Sequence, residues 1–307
     1  MGPDLRLPAS VCVFERGWLS SNNVLFTGSG GAALVDSGYL THAAQTLALV
    51  RHALGGRPLE RLLNTHLHSD HCGGNALLQA AYGCHTAIPV CDAAKVAAWD
   101  EEALSFRATG QQCERFGFDA TLAPGQVLEL GGLRWTVLAA PGHDPHGLLF
   151  FCEQEGVLIS GDALWENGFG VVFPELAGEP GFDDVGATLD LIATLETRVV
   201  IPGHGAVFGQ VAQALARARS RLDYLAADPV RNGENAVKVL LKFLLLERRA
   251  LALDALPVLL ASIPLIERVR TRLLARDADA LAEWAASALV RVGAARVEHG
   301  QLLDADG

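Results

Sequence analysis

Basic residues are scarce: 24 Lys and Arg stand against 35 Asp and Glu, a formal charge of −11 with neutral histidine. Such a surface repels phosphate backbones, which argues against a protein built mainly to hold nucleic acid. Disulfide patterning is missing too. The six cysteines, at 12, 72, 84, 91, 113 and 152, form no C-x-x-C pair and no dense framework, so we read free thiols in a reducing, cytoplasmic setting. The most apolar stretch, 251–266, is broken by Asp254, Pro257 and Pro264. The opening MGPDLRLPASVCVFERG shows no basic region followed by an apolar one, so neither a signal peptide nor a membrane span is expected. Internal repeats and low-complexity tracts are also absent. What remains, half hydrophobic and only 19% charged, is a globular chain of one or two domains with length for a large core.

Through 1–213, short Val/Leu/Ile-rich runs alternate with glycine-rich turns: VLFTGSGGAALVDSG, LRWTVLAAPGH, GLLFFCEQEGVLISGD and TRVVIPGHG. They read as strands ending in loops, with helices over 41–54 and 76–82 between them. Over 214–307 the pattern changes to long helices, with Val237, Leu240, Leu241, Leu244 and Leu245 at helical spacing and a second amphipathic stretch over 278–290. The end reads as a helix stopped at Gly293, then two short strands joined near His299 and Gly300. We therefore expect a catalytic domain over 1–213 and a mainly helical, winged-helix-like region over 214–307. Arg217, Arg219 and Arg221, and then Arg268, Arg270 and Arg272, form i, i+2 series that spread around a helix, and we read both as solvated faces.

The densest chemical signal is Thr65-His66-Leu67-His68-Ser69-Asp70-His71-Cys72-Gly73-Gly74-Asn75, directly after the apolar pair Leu62-Leu63. In an extended segment His66 and His68 project to one side and can share a metal; a turn at Asp70-His71 can aim the next two side chains at a second. Single candidates follow, each beside glycine at the end of an apolar run: His143 in APGHD, Asp162 in ISGDALW and His204 in IPGHG. Imidazole and carboxylate together suit zinc or iron. Cys72 is read as a small buried hydrophobe. The aromatic, glycine-rich segment 165–174, with Trp165, Phe169 and Phe173, reads as an apolar substrate wall, and the stretch 92–118 as a helical cap.

HLHSDH at 66–71, PGH at 141–143, SGD at 160–162 and PGH at 202–204, in that order, resemble the metallo-β-lactamase superfamily over roughly 10–210. The resemblance implies an α/β fold, a four-layer αββα sandwich. It also implies two divalent ions, zinc first and iron or manganese as alternatives. His66, His68 and His143 would hold one ion, Asp70, His71 and His204 the other, and Asp162 would bridge them. Two ions about 3.5–4 Å apart polarise a scissile carbonyl and acidify a bridging water, giving a hydroxide nucleophile, with Asp70 as the catalytic proton carrier. VDSG at 35–38 also matches the family, with Asp36 placed behind the ligands.

Within the superfamily, the β-lactamases proper generally lack the bridging aspartate, and the flavodiiron oxygen reductases carry glutamate at the position of His68. THLHSDHCGGN with SGDALW looks closest to the hydroxyacylglutathione hydrolase-like group and shares features with homoserine lactonases, implying hydrolysis of a small thioester or lactone. One departure stands out: PGHDPHG replaces the usual PGHTxGH, with Asp144 at the hydroxyl position and His146 one residue early, read as a substrate contact, a hydrogen-bond donor behind the site or an exposed loop residue. The expected partner is a small molecule, with no membrane and no nucleic acid, and a homodimer is one assembly open to it. The alternatives are a phosphodiesterase or ribonuclease of the same fold, a mononuclear-iron persulfide dioxygenase-like oxidation, and a non-catalytic regulator.

Overall fold

The computed structural model describes residues 5–28 and 30–305. One mixed sheet of six strands follows chain order: β1 (Val11–Phe14), β2 (Asn23–Phe26), β3 (Ala33–Val35), β4 (Arg61–Leu63), β5 (His85–Pro89) and β6 (Ala120–Leu122). The first three pair antiparallel and the rest parallel. A second sheet holds β7 (Val127–Leu130), β8 (Leu133–Ala139), β9 (Leu148–Cys152), β10 (Val157–Gly161) and β11 (Val199–Pro202), of which only β10 and β11 run parallel.

Parallel neighbours need crossovers, and helices supply them. These are α1 (Ala43–Leu54), α2 (Ser69–Cys72) and α3 (Asn75–Tyr82), then α4 (Ala93–Ala98) and α5 (Phe106–Thr109), and between β10 and β11 α6 (Phe173–Ala177) and α7 (Phe182–Thr194). Strand β9 shows why the layers form. All five of its residues are buried, as in a strand covered on both faces. Its alternation sends Phe150 between the sheets to Trp135, Phe26 and Ile159. Leu149 and Phe151 point the other way, to Leu189 of α7 and Leu215 of α8 (Val211–Ala226). On the far side Val50, Leu54 and Leu78 of α1 and α3 cover the first sheet. The result is helix, sheet, sheet, helix.

The C-terminal region packs around a core that also takes in Val171 and Leu176. Helix α9 (Pro229–Arg248) starts where Asp228 accepts the Val230 N–H and Pro229 takes the first helical position. Its Val237, Leu240, Leu241, Leu244 and Leu245 pack with α10 (Leu256–Ala261), α11 (Pro264–Val269) and α12 (Ala278–Arg291). A three-stranded sheet, ordered β12 (Ala250–Ala252), β14 (Gln301–Asp304), β13 (Ala295–Glu298), closes the region, with His299 and Gly300 both at positive φ in the hairpin turn. The sequence pattern reveals two of these strands; β12 is too short to show a period. Among the described residues, no helix is long and apolar enough to cross a membrane.

Candidate metal centre

The seven candidate residues follow the C-terminal ends of strands from both sheets: His66 to His71 after β4, His143 after β8, Asp162 after β10 and His204 after β11. The fold gathers them into two groups. His66, His68 and His143 form the first; Asp70, His71, Asp162 and His204 form the second, and within each group one ligand atom per residue lies within 4.8 Å of the others. His68 Nδ1 lies 2.8 Å from His143 Nε2. Asp162 stands between the groups: Oδ1 is 3.3 Å from His71 Nε2, and Oδ2 is 3.4 Å from His143 Nε2 and 3.8 Å from His204 Nε2. Asp70 Oδ2 is 3.0 Å from His204 Nε2.

The surroundings fix which nitrogen each ring offers. His143 Nδ1 donates to the Val171 carbonyl at 2.6 Å, leaving Nε2 with a lone pair toward the site. His71 Nδ1 lies 2.8 Å from Asp36 Oδ2, which also accepts from Thr65 Oγ1. His68 turns Nε2 to Asp144 Oδ2, 3.6 Å away, and so presents Nδ1. Buried His66 Nε2 and His71 Nε2 make no hydrogen bond, whereas His204 presents Nε2 to Asp70 and Asp162. Unpaired buried nitrogens are costly, and two such groups around one carboxylate are what divalent ions satisfy. The backbone leaves room for this only because residue 203 is glycine: a Cβ there would collide with Asp162 Oδ1 and lie 2.9 Å from His71 Cε1.

Electrostatics differ between the groups. Burial lowers His66, His68 and His143, the last to about 4. For His71 burial pulls the same way, but the carboxylates of Asp162 and Asp36 outweigh it and raise the imidazole well above its ordinary range. Asp162 is held well below the carboxylate range, because His204 and His71 outweigh its burial.

Asp36 supports this arrangement from behind, and its backbone sits in the left-handed region at φ 59°. Its Oδ1 also accepts the Thr65 N–H at 2.9 Å, locking the start of the histidine loop. Asp36→Ala is expected to weaken metal binding about 10- to 100-fold with the ion-contacting residues intact, measured by competition with a chromophoric chelator.

Two cavities meet at the centre. A small one of about 90 Å³ is walled by Trp18, Trp165, Phe169, Phe173, Arg221 and Phe243; a larger one of about 300 Å³ is reached past His68, His143 and Phe173 and runs to Lys95 and Arg268. Trp165, Phe169 and Phe173 thus lie where the sequence reading put them, and Trp165 also donates its indole N–H to Asp162 Oδ1 at 3.2 Å. His146 lines neither cavity. Its Nδ1 is 2.9 Å from Asp92 Oδ1 and 3.3 Å from Lys95 Nζ, so it hydrogen-bonds a carboxylate of the 92–118 stretch. Asp92, Asp144 and His146 form a third potential metal group, but the Lys95 ammonium, 2.7 Å from Asp92, already supplies the cation there. Sequence reasoning missed Trp18, whose ring stacks on His204 at 5.4 Å between centroids, and Arg221, read as solvated.

The family model described as metallo-beta-lactamase superfamily matches residues 16–204, and the chain belongs to that superfamily. Among curated proteins it is similar to the hydroxyacylglutathione hydrolase of Acidiphilium cryptum (strain JF-5), 31% identical over 188 residues, covering 61% of this chain and 65% of that protein. It is also similar to that of Methylococcus capsulatus (strain Bath), 33% identical over 146 residues and 48% of each. The chain thus spans about half to two thirds of the length of these relatives. A metallo-beta-lactamase family protein of Thermus thermophilus aligns with 97% of this chain and 100% of its own, at TM-score 0.59 and 22% identity. TTHA1623, solved in a di-iron-bound form, aligns with 68% of this chain and 98% of its own, at TM-score 0.55 and 25% identity. The superfamily and the clustered side chains together imply divalent metal ions.

Proposed function

We propose that this protein is a metal-dependent hydrolase of small thioesters, with lactones as the second substrate type. The observation that carries this reading is Asp162 standing between two histidine groups, each holding a buried nitrogen without a hydrogen bond, His66 Nε2 in one and His71 Nε2 in the other. The hydroxyacylglutathione hydrolase relatives support the thioester. His66, His68 and His143 would hold one ion and Asp70, His71 and His204 another, with Asp162 shared; zinc is the first choice. Bound there, the ions would polarise the acyl carbonyl and acidify the attacking water. The protein's own residues do the rest. Asp70 lines the small cavity beside His204, and the carboxylate oxygen it does not commit to the ion can take the proton of the water that adds to the acyl carbon. As the C–S bond breaks, that proton passes to the departing sulfur. The aromatic small cavity suits the acyl group, and the larger cavity suits the thiol.

The test is steady-state hydrolysis by zinc-, manganese- and iron-loaded protein across thioesters, lactones, β-lactams and phosphodiesters. We expect thioester or lactone turnover at least about 100-fold above phosphodiester turnover, a margin of roughly 2.7 kcal/mol in barrier. Preferred phosphodiester cleavage would overturn the reading. Neither the nuclease nor the iron-oxidation alternative is favoured by these relatives, and the net charge of −11 opposes the former.

A further inference from the structure

Arg221 projects from α8 under the turn 165–168. Its neighbours on the helix divide by phase: Arg217, one turn earlier, donates Nε to the Glu166 carbonyl at 2.7 Å, whereas Arg219 points outward to Asp190. The Arg221 stem passes so close beneath Gly168 that a Cβ there would lie 2.8 Å from its Cδ. The guanidinium ends 5.6 Å from the centre of the Phe169 ring and forms part of the small cavity's wall, together with His143 and Asp162.

Among the described residues no carboxylate pairs with Arg221, and its one hydrogen bond runs from Nη2 to Asn235 Oδ1 at a long 3.4 Å. Nε is buried without an acceptor, and the buried Asn235 Nδ2 likewise has none. Burial alone pulls the guanidinium below its ordinary range. A largely desolvated cation without a carboxylate partner is costly, and both its own Nε and the neighbouring Asn235 Nδ2 lack acceptors. A guanidinium above an aromatic ring, with only one long hydrogen bond on its planar fork, is matched by a carboxylate.

We propose that Arg221 receives a carboxylate on the substrate's acyl group, so that the preferred substrates are thioesters of dicarboxylic acids. This rests on the hydrolase reading above and adds a charge requirement to it. In a chain of net charge −11, a partly buried cation at the acyl end also favours an anionic acyl group over a neutral one of the same size.

The test compares succinyl and butanoyl thioesters of one neutral thiol, for the metal-loaded wild type, Arg221→Met and Arg221→Lys. The wild type is expected to favour the succinyl ester about 10- to 100-fold in kcat/KM, the range of a hydrogen bond to a charged group. In Arg221→Met this ratio falls to about one, mainly through KM, and Arg221→Lys keeps part of it. Equal losses on both esters would make Arg221 a packing residue and overturn the proposal. Tryptophan fluorescence, reporting from Trp18 and Trp165, is titrated in parallel with succinamate and with neutral succinamide. Saturable quenching by succinamate alone, lost in Arg221→Met, supports the anion site even if neither ester is hydrolysed, in which case the hydrolase reading is what fails. The same response in wild type and Arg221→Met overturns the anion site whatever the esters do.

Discussion

Asp162→Asn is expected to lower kcat at least about 1,000-fold, the equivalent of roughly 4 kcal/mol in barrier, while the chain keeps its fold. The size follows from position. One carboxylate faces His71 with one oxygen and His143 and His204 with the other, so losing its charge affects both groups at once. The fold should persist because Asp162 follows β10, whose Val157, Leu158 and Ile159 are buried in apolar contacts independent of the carboxylate. His66→Ala should behave similarly, since its Nε2 has no other partner. Metal content by emission spectroscopy, thermal unfolding and steady-state rates on the best thioester form the measurement. Turnover within tenfold of wild type in Asp162→Asn would remove this residue from the centre.

Metal uptake should be stepwise in pH. A ligand must shed its proton to bind, so a raised pKa makes affinity fall as pH falls. The imidazoles of His66, His68 and His143 are all lowered, so the first group needs no proton release near neutrality. His71 is raised well above 6.5 by Asp162 and Asp36, so the second group must expel one proton. We expect the first ion to bind at lower pH than the second, with second-site affinity changing about tenfold per pH unit below the raised His71 value. Calorimetry in buffers of different ionisation enthalpy counts the protons. Identical pH dependence of both steps would refute the assignment of His71. In the metal-free protein the sign reverses: a raised pKa stabilises the fold below pH 6.5, and that contribution fades as pH climbs through the shifted value.

Much of this was legible in the chain because the chemistry is local in sequence. His66, His68, Asp70 and His71 lie within one loop, and strands such as β9 announce themselves as unbroken apolar runs. Glycine beside His143, Asp162 and His204 marked the other strand ends. What escaped depends on distant partners. Trp18 gains its place only where the loop after β1 meets His204. Asp144 touches His68, and His146 turns to Asp92, through contacts that spacing does not encode. Arg221 looked solvated because i, i+2 periodicity says how residues spread around a helix but not which side is covered.

Gly203 gives the centre a hereditary constraint. No side chain of any size fits beside the Asp162 oxygen, so position 203 has no acceptable single-step substitute although it offers no ligand. In a saturation library the residues around the cavities should therefore drift with substrate, while this silent neighbour stays fixed as firmly as the histidines. Any redesign of the acyl pocket has to leave that backbone alone and work from the aromatic wall and Arg221 instead.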